Sequence, residues 1–187
     1  MRIISGKYKG KKILPPKDLT TRPLKDLAKE SIFNIIIHSN KFNVALENSN
    51  ILDLFSGVGS FGLECLSRGA KKSTFVENYK EVLTVLKKNI TSLNYEKEAH
   101  IIERDILKNL DFKNFNEKFN IIFADPPYKE KNLNLMYLKI LNSEILDDQG
   151  ILIIHRRKND MDSFPEKFKI IEEKIYGISR VIFGKFN

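Results

Sequence analysis

Ile51-Leu52-Asp53-Leu54-Phe55-Ser56-Gly57-Val58-Gly59-Ser60-Phe61-Gly62 reads as a strand that turns, through glycines, into a helix. The run Ile51–Phe55 is short and nearly all apolar, as befits a strand covered on both faces. Gly57, Gly59 and Gly62 form a Gly-x-Gly-x-x-Gly. Glycine there lets the chain turn sharply out of the strand, admits a ligand close to the backbone, and lets a helix lie tight against the sheet. Taken alone the pattern is weak, because turns are rich in glycine. Its surroundings decide the fold. Short apolar runs at Ser73–Glu77, His100–Glu103, Phe119–Ala124 and Ile151–His155 alternate with helix-like segments near Phe61–Ser67, Tyr79–Leu93 and Leu133–Leu141. That alternation is the mark of βαβ units around a parallel sheet. Phe168–Lys174 and Ser179–Lys185 flank Gly177 and are expected to close the sheet as a hairpin. The expectation is an α/β fold over residues 1–187 as a single domain: a doubly wound, mostly parallel, seven-stranded sheet.

Upstream, residues 1–17 carry Arg2, Lys7, Lys9, Lys11, Lys12 and Lys17 and no acid. The whole chain holds 32 Lys and Arg against 24 Asp and Glu, so this arm supplies six of the eight net positive charges. A concentrated basic segment with an embedded aromatic, Tyr8, suits a phosphate backbone. The competing reading is a basic surface kept for solubility. Arg2–Ile4 and Lys11–Leu14 are spaced to pair as a small hairpin across Gly6–Gly10, which Pro15-Pro16 ends. The basic extension is taken as residues 1–20. Pro23 then stands where a first helical residue would, and Leu24, Leu27, Ile32, Ile35 and Ile36 follow at helical spacing.

The 187 residues, 42% apolar and 30% charged, suffice to bury a core without disulfides or structural metal. The single cysteine, Cys65, excludes an internal bridge, and packing is its expected role. No Cys/His cluster suggests a metal. No segment approaches the roughly 18 apolar residues of a membrane helix, and the N-terminus has no apolar signal stretch. A cytoplasmic monomer without membrane or metal partners is expected.

In doubly wound sheets ligands sit at the carboxyl ends of the strands. Glu77 ends the second run, twenty residues after Gly57, where a carboxylate accepts both hydroxyl hydrogens of an adenosine ribose. Asp105 follows the third run and suits an adenine amino group. Asp53 precedes the glycine loop by four residues. Beneath a pyrophosphate a further negative charge would repel, so Asp53 favours a ligand with a positive end, such as the ammonium and sulfonium of S-adenosylmethionine. The alternative is that Asp53 caps the turn through backbone N–H groups. Phe55, at the strand end, is grouped with the cofactor residues, with core packing as its competing reading.

The fourth run ends in Asp125-Pro126-Pro127-Tyr128. Two prolines fix both φ angles and remove two donors, leaving a stiff ledge with a carboxylate, bare carbonyls and an aromatic face. The exocyclic amine of a nucleobase is a poor nucleophile because its lone pair is delocalised into the ring. Hydrogen bonds from the NH₂ to the Asp125 carboxylate and the Pro126 carbonyl draw the nitrogen toward tetrahedral geometry, and Tyr128 can stack on a flipped-out base. Asp-Pro-Pro is also ordinary turn chemistry.

On these residues the chain resembles a class I S-adenosylmethionine-dependent methyltransferase, and more narrowly the RsmD family of bacterial 16S rRNA guanine-N2 methyltransferases. The similarity runs in order through Arg2-Ile3-Ile4-Ser5-Gly6-Lys7-Tyr8-Lys9-Gly10-Lys11-Lys12, Arg22-Pro23, Lys29-Glu30-Ser31-Ile32-Phe33-Asn34, the Asp53–Gly59 loop, Gly62-Leu63-Glu64, Ser67-Arg68-Gly69-Ala70, Phe75-Val76-Glu77, Asp105 and Asp125–Tyr128. Ser56 and Val58 stand in place of a more usual Ala and Ser. Lys29 stands where Arg is common, and an ammonium cannot make a guanidinium's bidentate contact. The resemblance implies methyl transfer from S-adenosylmethionine to the N2 amine of one guanine in 16S rRNA, with the small ribosomal subunit or an assembly intermediate as partner. It further implies that Asp125, Pro126, Pro127 and Tyr128 carry catalysis, and that Asp53, Phe55, Gly57, Gly59, Glu77 and Asp105 hold the cofactor. RNA is then met by Arg2, Lys7, Tyr8, Lys9, Lys11, Lys12 and Arg22.

Three rivals differ in what they leave unused. An adenine-N6 methyltransferase would employ the same Asp-Pro-Pro-Tyr ledge. A nicotinamide-dependent oxidoreductase would use the glycine loop but neither Asp53 nor the ledge. A non-catalytic RNA-binding module would need only the arm. His155-Arg156-Arg157 reads either as an RNA contact or as a solvated turn.

Overall fold

A computed structural model describes residues 1–16, 26–130 and 133–187. Arg22, Pro23 and the Leu24-Lys25 start of the expected first helix lie outside the described residues. In chain order come α1 (Asp26–His38), β1 (Asn50–Leu54), α2 (Ser60–Ser67), β2 (Lys72–Glu77), α3 (Lys80–Ser92), β3 (Ala99–Glu103), β4 (Phe119–Ala124), α4 (Leu133–Ser143), β5 (Leu146–Arg157), β6 (Phe168–Tyr176) and β7 (Ser179–Phe186). A short 3-10 turn at Phe112–Asn114, unmarked by any periodicity, sits between β3 and β4.

The seven strands form one sheet in the order β3-β2-β1-β4-β5-β7-β6. The pairs from β3 through β5 are parallel, and β7 runs antiparallel to both β5 and β6. Consecutive elements build outward from β1 to β3, and then the chain crosses back to lay β4 against the other side of β1. That reversal opens a crevice at the carboxyl ends of β1 and β4, the ligand position of such folds. β5 extends well beyond the apolar run Ile151–His155, because its ends, Asp147-Asp148-Gln149 and Arg156-Arg157, are polar and carry no hydrophobic signal.

The unbroken apolar runs follow from burial on two sides. Ile51, Ile121, Phe123, Ile151 and Ile153 face a core completed by α1, α2 and α3, whereas Leu52, Leu54, Ile122, Leu152 and Ile154 face one completed by α4. Neighbouring residues thus fill opposite layers, as the pleat demands. Phe61 of α2 stacks between Phe33 of α1 and Phe123 of β4, with ring centroids 5.2 and 4.0 Å away. Cys65 is fully buried packing.

The basic arm forms the expected hairpin and is fastened to the domain. Arg2 bridges Lys12, Ile3 N–H donates to Lys11 O at 2.9 Å, and Gly10 N–H donates to Ile3 O at 2.8 Å. Ile3 and Ile13 are buried in the main core. Gly6 is indispensable to the docking: its φ is +81°, and a Cβ there would lie 1.8 Å from the Ser67 carbonyl oxygen. The centre of attachment is Glu64 of α2, wholly buried. Its carboxylate accepts from Ile4 N–H at 2.7 Å, Ser5 N–H at 2.9 Å and Arg68 Nε at 2.8 Å. Lys29 Nζ lies 3.5 Å from Glu64, with both side chains at 0% exposure, and donates to the Arg2 carbonyl at 2.7 Å. Burial lowers the Lys29 pKa, and the Glu64 charge opposes that shift. Lys29 therefore orients a carboxylate, and its single ammonium suffices because Arg68 supplies the second cation.

Glu64→Ala strands the Lys29 charge and two arm amides. Its unfolding free energy, measured in urea, is expected to fall by about 3–5 kcal/mol. Lys29→Met added to that change is expected to recover part of the loss.

Candidate active site

The parallel registers decide which side chains meet. Asp53 aligns with Phe75 and Phe123, and Ala124 aligns with Ile154. Advancing two residues from Phe75, Phe123 and Ile153 keeps Glu77, Asp125 and His155 on the sheet face shared by Asp53. Three carboxylates and an imidazole thus gather at the carboxyl ends of four adjacent strands.

Asp53 is 1% exposed. Its Oδ2 accepts from Gly62 N–H at 2.9 Å. Gly62 lies in the first turn of α2, whose N-cap is Gly59 (φ +85°) with no side chain to cap it. Asp53 thus supplies from β1 the cap the helix lacks, with its carboxyl facing the positive helix end. The capping alternative for Asp53 is what the structure displays. Gly62 also fulfils the close-packing role of the third glycine, since a Cβ there would lie 2.4 Å from the Phe75 ring. Burial pushes the Asp53 carboxyl up to about 8, the Gly62 N–H opposes, and the charges of Asp125 and Glu77 push the same way as burial.

Glu77 accepts from Gly57 N–H at 2.9 Å through Oε2 and from the Asn78 and Tyr79 N–H groups through Oε1. It braces the glycine loop with three of its four acceptor sites, leaving a lone pair on Oε2. Asp105 begins an Asx-type turn, accepting from Leu107 and Lys108 N–H at 3.0 Å, and takes Asn78 Nδ2 at 3.1 Å. Phe55 sits at φ +57°, a left-handed backbone that starts the glycine loop. Its ring packs on the α4-side core, away from Asp53, so packing is the reading met.

Asp125 continues the β1–β4 ladder, its N–H donating to Leu54 O at 3.3 Å. Pro126 is buried, Pro127 exposed and Tyr128 half-buried. The expectation of bare carbonyls needs one correction: Pro127 O accepts from Glu130 N–H at 2.9 Å, closing a turn. His155 and Arg156 correct a second. Neither is a solvated turn nor an exposed RNA contact, since both are buried. His155 Nδ1 lies 2.8 Å from Asp125 Oδ1. The signal was present in the sequence, because Ala124 and Ile154 each end an apolar run and their successors are Asp125 and His155.

On the arm, Arg2, Lys7, Lys9, Lys11 and Lys12 are exposed. Tyr8 is half-buried edge-on to Tyr95, at 5.3 Å between centroids, with Lys7 and Lys11 ammonium groups 5.2 and 5.5 Å from its ring.

The family model described as Conserved hypothetical protein 95 matches residues 1–185. The chain belongs to that family, the RsmD methyltransferases. Among RsmD relatives, the Ribosomal RNA small subunit methyltransferase D of Haemophilus influenzae is 31% identical over 179 residues, covering 95% of this chain and 90% of the relative. The protein of the same name from Buchnera aphidicola (Acyrthosiphon pisum) is 34% identical over 177 residues, covering 92% and 86%. The solved structure of Escherichia coli yhhF superposes with a TM-score of 0.82 at 25% identity, covering 100% of this chain and 98% of that one. The RsmD fold is thus the class I methyltransferase fold, and the chain is a methyltransferase.

Asp53 predicts a pH signature. In the unfolded chain its carboxyl titrates near 4, so between about pH 4 and 8 only the folded form keeps the proton. Stability contributed by that proton is present at low pH and is lost as pH rises through this window. Asp53→Asn, which keeps an oxygen for Gly62, is expected to melt about 5 °C above the wild type at pH 8, with the gap closing toward pH 4. Calorimetry of the cofactor-free proteins reads both.

Proposed function

We propose that this RsmD protein transfers a methyl group from S-adenosylmethionine to the exocyclic N2 amine of a guanine in 16S rRNA. The observation that carries the reading is the crowding of Asp53, Glu77 and Asp125, a cleft rich in carboxyl groups to which no lysine or arginine among the described residues is paired. A ligand bearing an ammonium and a sulfonium supplies the missing charge, whereas a pyrophosphate would be repelled. The donor set therefore fits this cofactor. Asp53, Gly57, Gly59, Glu77 and Asp105 are its proposed holders, and Phe55 contributes through its backbone turn. When bound, the cofactor supplies an electrophilic methyl carbon.

The remaining work falls to the chain. Asp125 accepts an amine N–H, and the Pro126 carbonyl the other, which frees the nitrogen lone pair. Tyr128 stacks on the base and sets its angle. The methylated amine, transiently cationic, releases its proton to Asp125 or to water. Positioning and hydrogen-bond polarisation account for the rate without a strong base. The rRNA substrate is favoured by the names of the relatives and by the basic arm, whose Arg2, Lys7, Lys9, Lys11 and Lys12 present charge to phosphate around Tyr8.

Asp125→Ala is expected to abolish methylation while S-adenosylhomocysteine still binds with near wild-type affinity by calorimetry. Guanine-only and adenine-only RNAs separate the proposed target from adenine-N6 chemistry, and methylation confined to adenine would overturn it. Because Ile3 and Ile13 are core residues, the arm is tested by side chain rather than by deletion. Replacing Lys7, Lys9, Lys11 and Lys12 with Ala is expected to reduce the salt slope of RNA binding by up to about three. An unchanged slope would remove the arm from the interface.

A further inference from the structure

We propose that His155 is a positioning residue for methyl transfer, fixing the Asp125 carboxylate through its Nδ1–H; this rests on the reading of Asp125 as the acceptor of the substrate amine. A carboxylate accepts and does not donate, so the proton of the 2.8 Å contact belongs to His155 Nδ1. Nε2 of the same ring is buried with no partner among the described residues, which is tolerable for a lone pair and costly for an N–H. Both observations select one tautomer. With Oδ1 engaged, the carboxylate is held against rotation and Oδ2 is the oxygen left for the amine.

His155 is itself rigidly held. It lies in β5 between β4 and β7, paired with Val181, and its side chain is 5% exposed. The next residue, Arg156, points to the opposite face and fastens the far end of the same shelf. Its Nη2 donates to the Glu130 carbonyl at 3.1 Å and its Nε to Asp162 Oδ1 at 2.9 Å. Asp162 in turn accepts from Arg180 Nη2 at 2.6 Å, and the Arg156 and Asp162 side chains are 4% and 3% exposed. Two consecutive residues of one strand thus hold the two ends of Asp125–Glu130. Prolines stiffen the shelf internally, but they do not fix where its carboxylate points. His155 does.

The test compares His155→Ala, His155→Asn and His155→Gln by steady-state kinetics. Asn offers an N–H at the position of Nδ1, whereas Gln offers one farther out. His155→Ala is expected to lower kcat about 100-fold with KM for RNA within about threefold, the cost of a misplaced acceptor. His155→Asn is expected to recover at least half of that loss on a logarithmic scale, and His155→Gln to recover less. Should the Ala variant fail to fold, the Asn–Gln order decides alone. In the cofactor-free protein, nitrogen NMR should find His155 protonated at Nδ1 in the wild type and lose that form in Asp125→Ala. An unchanged kcat in His155→Ala, equal activity of Asn and Gln variants, or an Nδ1 proton indifferent to Asp125 would overturn the inference. Full activity in Asp125→Ala would instead overturn the underlying reading of the shelf.

Discussion

A carboxylate with almost no exposure stands at the end of the central strand, next to two others. Asp53 is tolerated there because the first turn of α2 offers an uncapped N–H and a positive helix end. That single contact ties β1 to α2 and fixes the exit of the glycine loop. Burial, with the charges of Asp125 and Glu77, still pushes the carboxyl up to about 8, so the empty fold holds a proton on it near neutral pH. Function and stability pull in opposite directions at this residue. A neutral side chain would suit the empty fold better, and under the proposed reading the charge serves the cationic cofactor.

The parallel sheet turns this local feature into a site. Parallel strands with matched registers bring successive strand ends to one level, and pleating sorts their side chains by parity. Asp53, Glu77, Asp125 and His155 come from residues as much as 102 positions apart, yet share one face because each is an even number of steps from an aligned partner. No loop has to be folded precisely to assemble them. What the loops contribute is stiffness: Phe55 and Gly59 in left-handed backbone, and two prolines after Asp125.

The strands and helices were legible because burial on both faces writes continuous apolar text, and β4 matches its run from Phe119 to Ala124. The acids were legible because each lies in, ends or follows such a run. What escaped was polar and buried. β5 outruns its apolar text, since Arg156 and Arg157 look like surface until Asp160 and Asp162 are known to neutralise the first of them. Glu64 was read only as part of a family pattern, because nothing in Gly62-Leu63-Glu64 says that its partners lie 60 residues upstream. His155 was legible in principle through register, but only after β5 had been placed beside β4.

The arm and the cleft belong to one polar framework. Glu64 sits one turn along α2 from Ser60, and Lys29 Nζ reaches Ser60 Oγ at 3.3 Å as well as the arm's Arg2 carbonyl. At the other end of the hairpin, Asn89 of α3 exchanges hydrogen bonds with Leu14 and donates to the Val58 carbonyl inside the glycine loop at 3.0 Å. The hairpin is thus joined to both the helix and the loop that Asp53 and Glu77 hold. Lysines on so anchored a hairpin present charge in a fixed direction relative to Asp125, which a disordered basic tail could not do. Under the proposed function, an RNA held by them would be registered against the shelf, so the contacts that add affinity would also restrict which nucleotide reaches the carboxylate.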